Sequence, residues 1–240
     1  MRELVEERVK EVKQKTGYSI SVDGDKICYG ADIKEEHASC LGTNKTENWV
    51  VVECVCRLLL QGYPPGKIVL EETWQLGHRT KGRLDILVKD EDDRAYMMIE
   101  CKTAGSEFEK ALEKLTEKGD QLFSYYQQDK SAKYLCLYTS EIDEKGVRYD
   151  NAWIDTSSLK KESNNVKELF ESWDKIPQRK LLFENEPYDN ASQNILLKDL
   201  KEMKLEDSQR IFNAFLEILR RHVVSDKPNA FNKIFNLFLC

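Results

Sequence analysis

The chain has 240 residues, of which 40% are apolar and 33% charged, and a net charge of -6. That balance excludes a disordered chain and leaves room for one large domain, or a medium domain plus a smaller piece. No run approaches the roughly 18 apolar residues of a membrane span. The opening Met1-Arg2-Glu3-Leu4-Val5-Glu6-Glu7-Arg8 is amphipathic rather than a signal peptide, so a cytoplasmic protein with no membrane partner is expected. The seven cysteines, odd in number and mainly in apolar contexts, argue against a disulfide scaffold. The acidic balance also excludes nucleic-acid binding by overall attraction, so any phosphate contact must come from a local basic patch.

Leu4, Val5, Val9 and Val12 recur at helical spacing and predict a helix over 2–16 stopped by Gly17. Tyr18 to Val22 and Lys26 to Tyr29, parted by Asp23-Gly24-Asp25, predict a hairpin. Residues 33–45 are polar and read as loop. Cys28, His37 and Cys40 are zinc-ligand types, but no second pair follows, and ordinary packing is the better reading. Thr46 is the expected N-cap of a helix through Leu59, ended by Gly62 and Pro64-Pro65-Gly66. A strand over 67–74 carries Glu71 and Glu72, and strand phase does not choose between them. His78-Arg79-Thr80-Lys81-Gly82-Arg83 is then a basic turn, suited to a duplex backbone or simply to solvent.

Two strands follow, Leu84 to Val88 and Met98 to Lys102, joined by the polar turn Asp90-Glu91-Asp92-Asp93. Alternation sends Ile99 and Cys101 to the core and aims Glu100 and Lys102 the other way, with Asp85 out of phase with its apolar neighbours. Two carboxylates on a rigid sheet suit a hard cation such as Mg²⁺, and a lysine beside them can hold a water. By spacing alone, however, charged residues on a solvated hairpin face are the commoner outcome. Residues 108–128 predict one long helix, with Gln121 and Tyr125 one turn apart on a shared face. Strands over 132–139 and 147–154 complete an α/β fold with a mixed sheet, the Leu135 strand running parallel to an earlier one. Residues 158–194 read as a linker with a short helix. An amphipathic helix over 205–224 and an apolar stretch over 230–240 follow.

Asp85 on one strand and Glu100-Cys101-Lys102 on the next resemble the PD-(D/E)XK nuclease superfamily, with Leu84 standing where the eponymous proline would be. Thr46-Glu47-Asn48-Trp49-Val50-Val51, followed by Gln61-Gly62-Tyr63-Pro64, is similar to the opening helix of the amino-terminal nuclease domain of type I restriction endonuclease R subunits. Gln121-Leu122-Phe123-Ser124-Tyr125 matches the Gln-x-x-x-Tyr element of some of these nucleases. The likeness runs over about residues 45 to 140. It implies a restriction-endonuclease-like mixed sheet flanked by helices, and a Mg²⁺-dependent DNA endonuclease of a restriction-modification system. The implied catalytic set is Asp85, Glu100, Lys102, Gln121 and Tyr125, and the implied metal ligands are Glu47, Asp85 and Glu100.

Arg210-Ile211-Phe212-Asn213-Ala214-Phe215 through Phe231 to Cys240 resembles the helical lead-in of N6-adenine DNA methyltransferases of type I-like systems. The expectation is therefore a nuclease domain at 1–157, a linker at 158–194 and a C-terminal helical segment at 195–240, the front of a fused restriction-modification polypeptide. No methyl-donor motif is present, so methylation is not expected. Implied partners are double-stranded DNA and the methyltransferase and specificity domains of the same system. The rival reading is a non-catalytic DNA-binding or assembly module that docks a methyltransferase.

Overall fold

The computed structural model describes residues 2–75, 81–143, 146–179 and 187–188. Helix α1 (Arg2–Thr16) buries Val5 and Val12 on one side, and stops where Gly17 takes a φ of 76° and donates its N–H to the Lys13 carbonyl. Strands β1 (Ser21–Asp23) and β2 (Lys26–Cys28) form the expected hairpin, with Val22 opposite Ile27.

The segment expected to be loop is more ordered than its composition suggests. Its β3 (Lys34–Glu35) pairs in parallel with β4 (Ile68–Gln75), and the Glu36 N–H donates to the Leu70 carbonyl. A 3-10 turn over Ala38–Leu41 follows, capped by the His37 ring, which accepts the Ser39 N–H. The β3 pairing depends on a partner distant in sequence, which a local pattern does not record.

Helix α2 (Thr46–Gln61) has Lys45, not Thr46, at its N-cap, without a side-chain capping bond. Gly62 closes it at φ 108°, donating to the Leu58 and Leu59 carbonyls. β4, β5 (Lys81–Lys89) and β6 (Ala95–Cys101) then run as an antiparallel meander. The single long helix expected over 108–128 is two, α3 (Ser106–Lys118) and α4 (Asp120–Gln128). They break at Gly119, whose φ of 79° ends α3 and redirects the chain. β7 (Tyr134–Asp143) lies parallel to β6, and β8 (Gly146–Asp155) returns antiparallel. Helix α5 (Val166–Ser172) leads to β9 (Gln178–Arg179), which pairs with β8.

The result is a seven-stranded mixed sheet in the order β3-β4-β5-β6-β7-β8-β9, flanked by helices. Strand residues alternate between two apolar cores. Met97, Ile99, Cys101, Cys136 and Tyr138 join α1 and α2 on one face. Met98, Leu87, Leu135 and Leu137 join α3, α4 and α5 on the other. Because both faces are covered, every residue of β6 is buried, the charged Glu100 included. The solvated-face explanation of the Asp, Glu and Lys set therefore fails for Glu100, which is only 6% exposed.

No helix among the described residues is long and apolar enough to cross a membrane. The described residues all belong to one compact unit, Met1–Ala191. The helices expected over 205–224 and 230–240 lie outside the described residues, as do His78, Arg79 and Thr80 of the basic turn.

Candidate active site

Ile86 of β5 lies opposite Ile99 of β6, and one step beyond that pair stand Asp85 and Glu100. Lys102 follows just past the end of β6, where its backbone N–H donates to the Tyr138 carbonyl of β7. Gln121 and Tyr125 come from α4, and Glu47 from the first turn of α2. All six expected residues line one cavity of about 340 Å³, together with Ser39, Lys45, Glu71, Gly82 and Arg83.

Lys102 is the hub of the site. Its Nζ donates to Glu100 Oε1 at 2.8 Å, Glu47 Oε1 at 2.9 Å and the Cys101 carbonyl at 2.9 Å. Half-buried Asp85 accepts the Cys101 N–H at 2.6 Å through Oδ2. Burial, then the Glu100 charge, push the Asp85 carboxyl well above its ordinary pKa, opposed by Lys102 and the Cys101 N–H. For Lys102 burial disfavours the charge, but the Glu100 and Asp85 carboxylates outweigh it and raise the pKa. The ammonium therefore stays charged through the neutral range. Tyr125 is fully buried and donates its hydroxyl to the Arg83 carbonyl at 2.7 Å. Its phenol is pushed up by burial and by the Glu100 and Asp85 carboxylates. Tyr125 is thus both a core aromatic and a wall of the cavity. Gln121 is exposed at the rim.

Three lining residues are not singled out by strand phase or motif: Ser39, Lys45 and the glutamate chosen between Glu71 and Glu72. It is Glu71 that enters the cavity. Its φ of 57° breaks the β4–β5 pairing between Leu70 and Glu72 and turns a buried carboxylate inward, 3.6 Å from Arg83 Nη1. Glu72 lies outside the cavity lining, with its carboxyl raised by burial and by Glu36. Arg83 also donates to Ser39 Oγ and His37 Nδ1, each at 2.9 Å. His37 is therefore engaged with Ser39 and Arg83, and Cys28 is exposed while the buried Cys40 thiol is pushed up to about 12 by burial. The six described cysteines are unbridged.

Among the described residues no three His, Cys, Asp or Glu side chains already form a group that holds a metal ion. The Lys102 ammonium bonds both Glu47 and Glu100 where a cation between them would sit. Asp85 and Glu100 nevertheless suit a hard divalent ion. Both are oxygen donors, and their burial and mutual repulsion are relieved by positive charge.

No curated protein matches the chain. Residues 46–151, from the start of α2 into β8, match the family model of the type I restriction enzyme R protein N terminus (HSDR_N), and over that span the chain is similar to this restriction-enzyme family.

Proposed function

We propose that this cavity is the active site of a Mg²⁺-dependent DNA endonuclease domain of a restriction-modification enzyme. The observation that carries the reading is the convergence of buried Glu100 with half-buried Asp85 and Lys102 at one end of β6, inside the span similar to the restriction-enzyme family. Asp85 and Glu100 would hold the ion, with Glu47 reaching it directly or through water. Mg²⁺ bound there supplies Lewis acidity toward the phosphate and an activated water.

The protein's own groups do the rest. Lys102, kept charged by the two carboxylates, orients the attacking water or neutralises charge developing on the phosphate oxygens. Tyr125 holds the Arg83 backbone against α4 and so fixes the β5 wall, while Gln121 at the rim contacts DNA or water. The substrate is double-stranded DNA. Residues 195–240 join the domain to a methyltransferase of the same system, and the assembly works in the cytoplasm.

Incubating the purified chain with duplex DNA across a Mg²⁺ titration tests the assignment. Asp85→Ala is expected to abolish cleavage with the fold retained, because this half-buried side chain contributes little packing. Undiminished cutting by the Asp85→Ala protein rejects it. Tight duplex binding with no cutting in Mg²⁺ or Mn²⁺ favours the non-catalytic docking module instead.

A further inference from the structure

Besides the Asp85, Glu100 and Lys102 cluster, the cavity is lined by two further cationic side chains, Lys45 and Arg83, and by Ser39. We propose that Arg83 is a phosphodiester-binding residue, with Glu71 as the residue that positions it. The proposal rests on the reading that the cavity takes DNA, and it names the side chain that grips the backbone.

Arg83 is held at both ends. Its carbonyl accepts the Tyr125 hydroxyl at 2.7 Å, and its Nη1 donates to His37 Nδ1 and Ser39 Oγ. The side chain is still 43% exposed, and its Nε and Nη2 have no partner among the described residues. That free edge is the one through which a guanidinium gives two parallel hydrogen bonds to phosphate oxygens. Three groups occupy the opposite corner, so little rotamer freedom is left to lose when an anion arrives.

An independent observation points the same way. Glu71 leaves regular strand backbone for a φ of 57°, a conformation that non-glycine residues rarely adopt and that costs free energy. The departure turns a carboxylate toward Arg83. An ion pair at 3.6 Å with a half-exposed arginine adds little to stability, so stability alone does not account for the strained backbone. Orientation of the guanidinium does. The Lys45 ammonium has no ion pair among the described residues and adds a second positive charge to the lining of the same cavity.

Fluorescence anisotropy with a short labelled DNA duplex in EDTA, where no cleavage occurs, tests the proposal over a range of salt concentrations. The full chain is used throughout. Arg83→Ala is expected to weaken binding about tenfold and to reduce the slope of log affinity against log salt by about 0.9, the loss of one phosphate contact. Arg83→Lys keeps the slope but not the two-pronged bond, and recovers part of the affinity. Glu71→Gln weakens binding with the slope unchanged, because the charge on Arg83 remains while its aim is lost. Arg94→Ala, the same charge change in the turn between β5 and β6, leaves both within about twofold. Wild-type affinity and slope in Arg83→Ala overturn the proposal, as does a loss of affinity that tracks unfolding by circular dichroism with no change of slope. No binding by the wild-type chain also overturns it. A normal Arg83 effect on binding in a chain that never cuts DNA would instead leave this subsite standing and remove the endonuclease reading.

Discussion

Replacing Asp85 with asparagine should abolish cleavage yet make the metal-free protein more stable. The carboxyl's pKa is raised above its ordinary 3.8, first by burial and then by the facing Glu100, against the pull of Lys102 and the Cys101 N–H. A group with a raised folded-state pKa contributes stability that is fully present below the unfolded value and is lost as pH rises through the folded value. Above the unfolded value, that raised pKa therefore works against the fold. Asparagine has nearly the same shape, its amide oxygen can still accept the Cys101 N–H that Oδ2 now takes at 2.6 Å, and it does not repel Glu100. Relieving a strained active-site charge of this kind is worth about 1 kcal/mol. In a chain of this size that raises Tm by about 2–4 °C. Calorimetry in EDTA should show the variant above wild type at neutral pH, with the gap closing as the solution is acidified toward the unfolded value. Mg²⁺ at about 100 times its Kd should stabilise wild type by about 2.7 kcal/mol and the variant far less, reversing the order. A variant less stable than wild type in EDTA at neutral pH, or a gap independent of pH, refutes the electrostatic argument.

Three further outcomes follow from the packing. Glu53 of α2 is fully buried, pairs with Arg57 (Oε1 to Nε, 2.6 Å) and accepts the Tyr138 hydroxyl at 2.5 Å. Glu53→Ala takes the buried carboxylate away from the Arg57 guanidinium and the Tyr138 hydroxyl and should destabilise by about 3–5 kcal/mol in urea unfolding; an unchanged midpoint counts against the network. Tyr125→Phe keeps the contact with the Trp74 ring, 5.6 Å between centroids, but loses the bond to the Arg83 carbonyl, at a cost of about 0.5–1.5 kcal/mol by thermal melting. Gly119→Ala forces a side chain into φ 79° and brings its Cβ to 3.0 Å from Phe170 Cδ2, so unfolding should become easier by about 1–2 kcal/mol or more. A neutral result there means that the α3–α4 break does not depend on glycine.

Much of the architecture was legible locally. The i, i+4 spacing of α1, the alternation in β5 and β6, and the glycine that closes α2 are short-range signals, and the structure has those elements at nearly the expected places. The parallel β6–β7 pairing also agrees, because a helical crossover between strands permits little else. Over 108–128 the structure has two helices where periodicity predicts one, for a specific reason. The apolar stripe continues across Gly119, and periodicity does not register one residue that turns left-handed.

The site divides along the same line. Which residue types occur, and that Asp85, Glu100, Lys102, Gln121 and Tyr125 take compatible phases on their own elements, is written in the order of the amino acids, since phase along one strand or helix depends on neighbours a few positions away. Tertiary structure alone decided that Glu100 is buried, because burial on both faces requires two helical layers from opposite ends of the domain. It alone selected Glu71 over Glu72 through a strained φ, and brought His37 and Ser39 to Arg83 across more than 40 residues of chain. Such contacts arise only when distant segments exclude water together, and no short window of sequence carries the geometry of that closure.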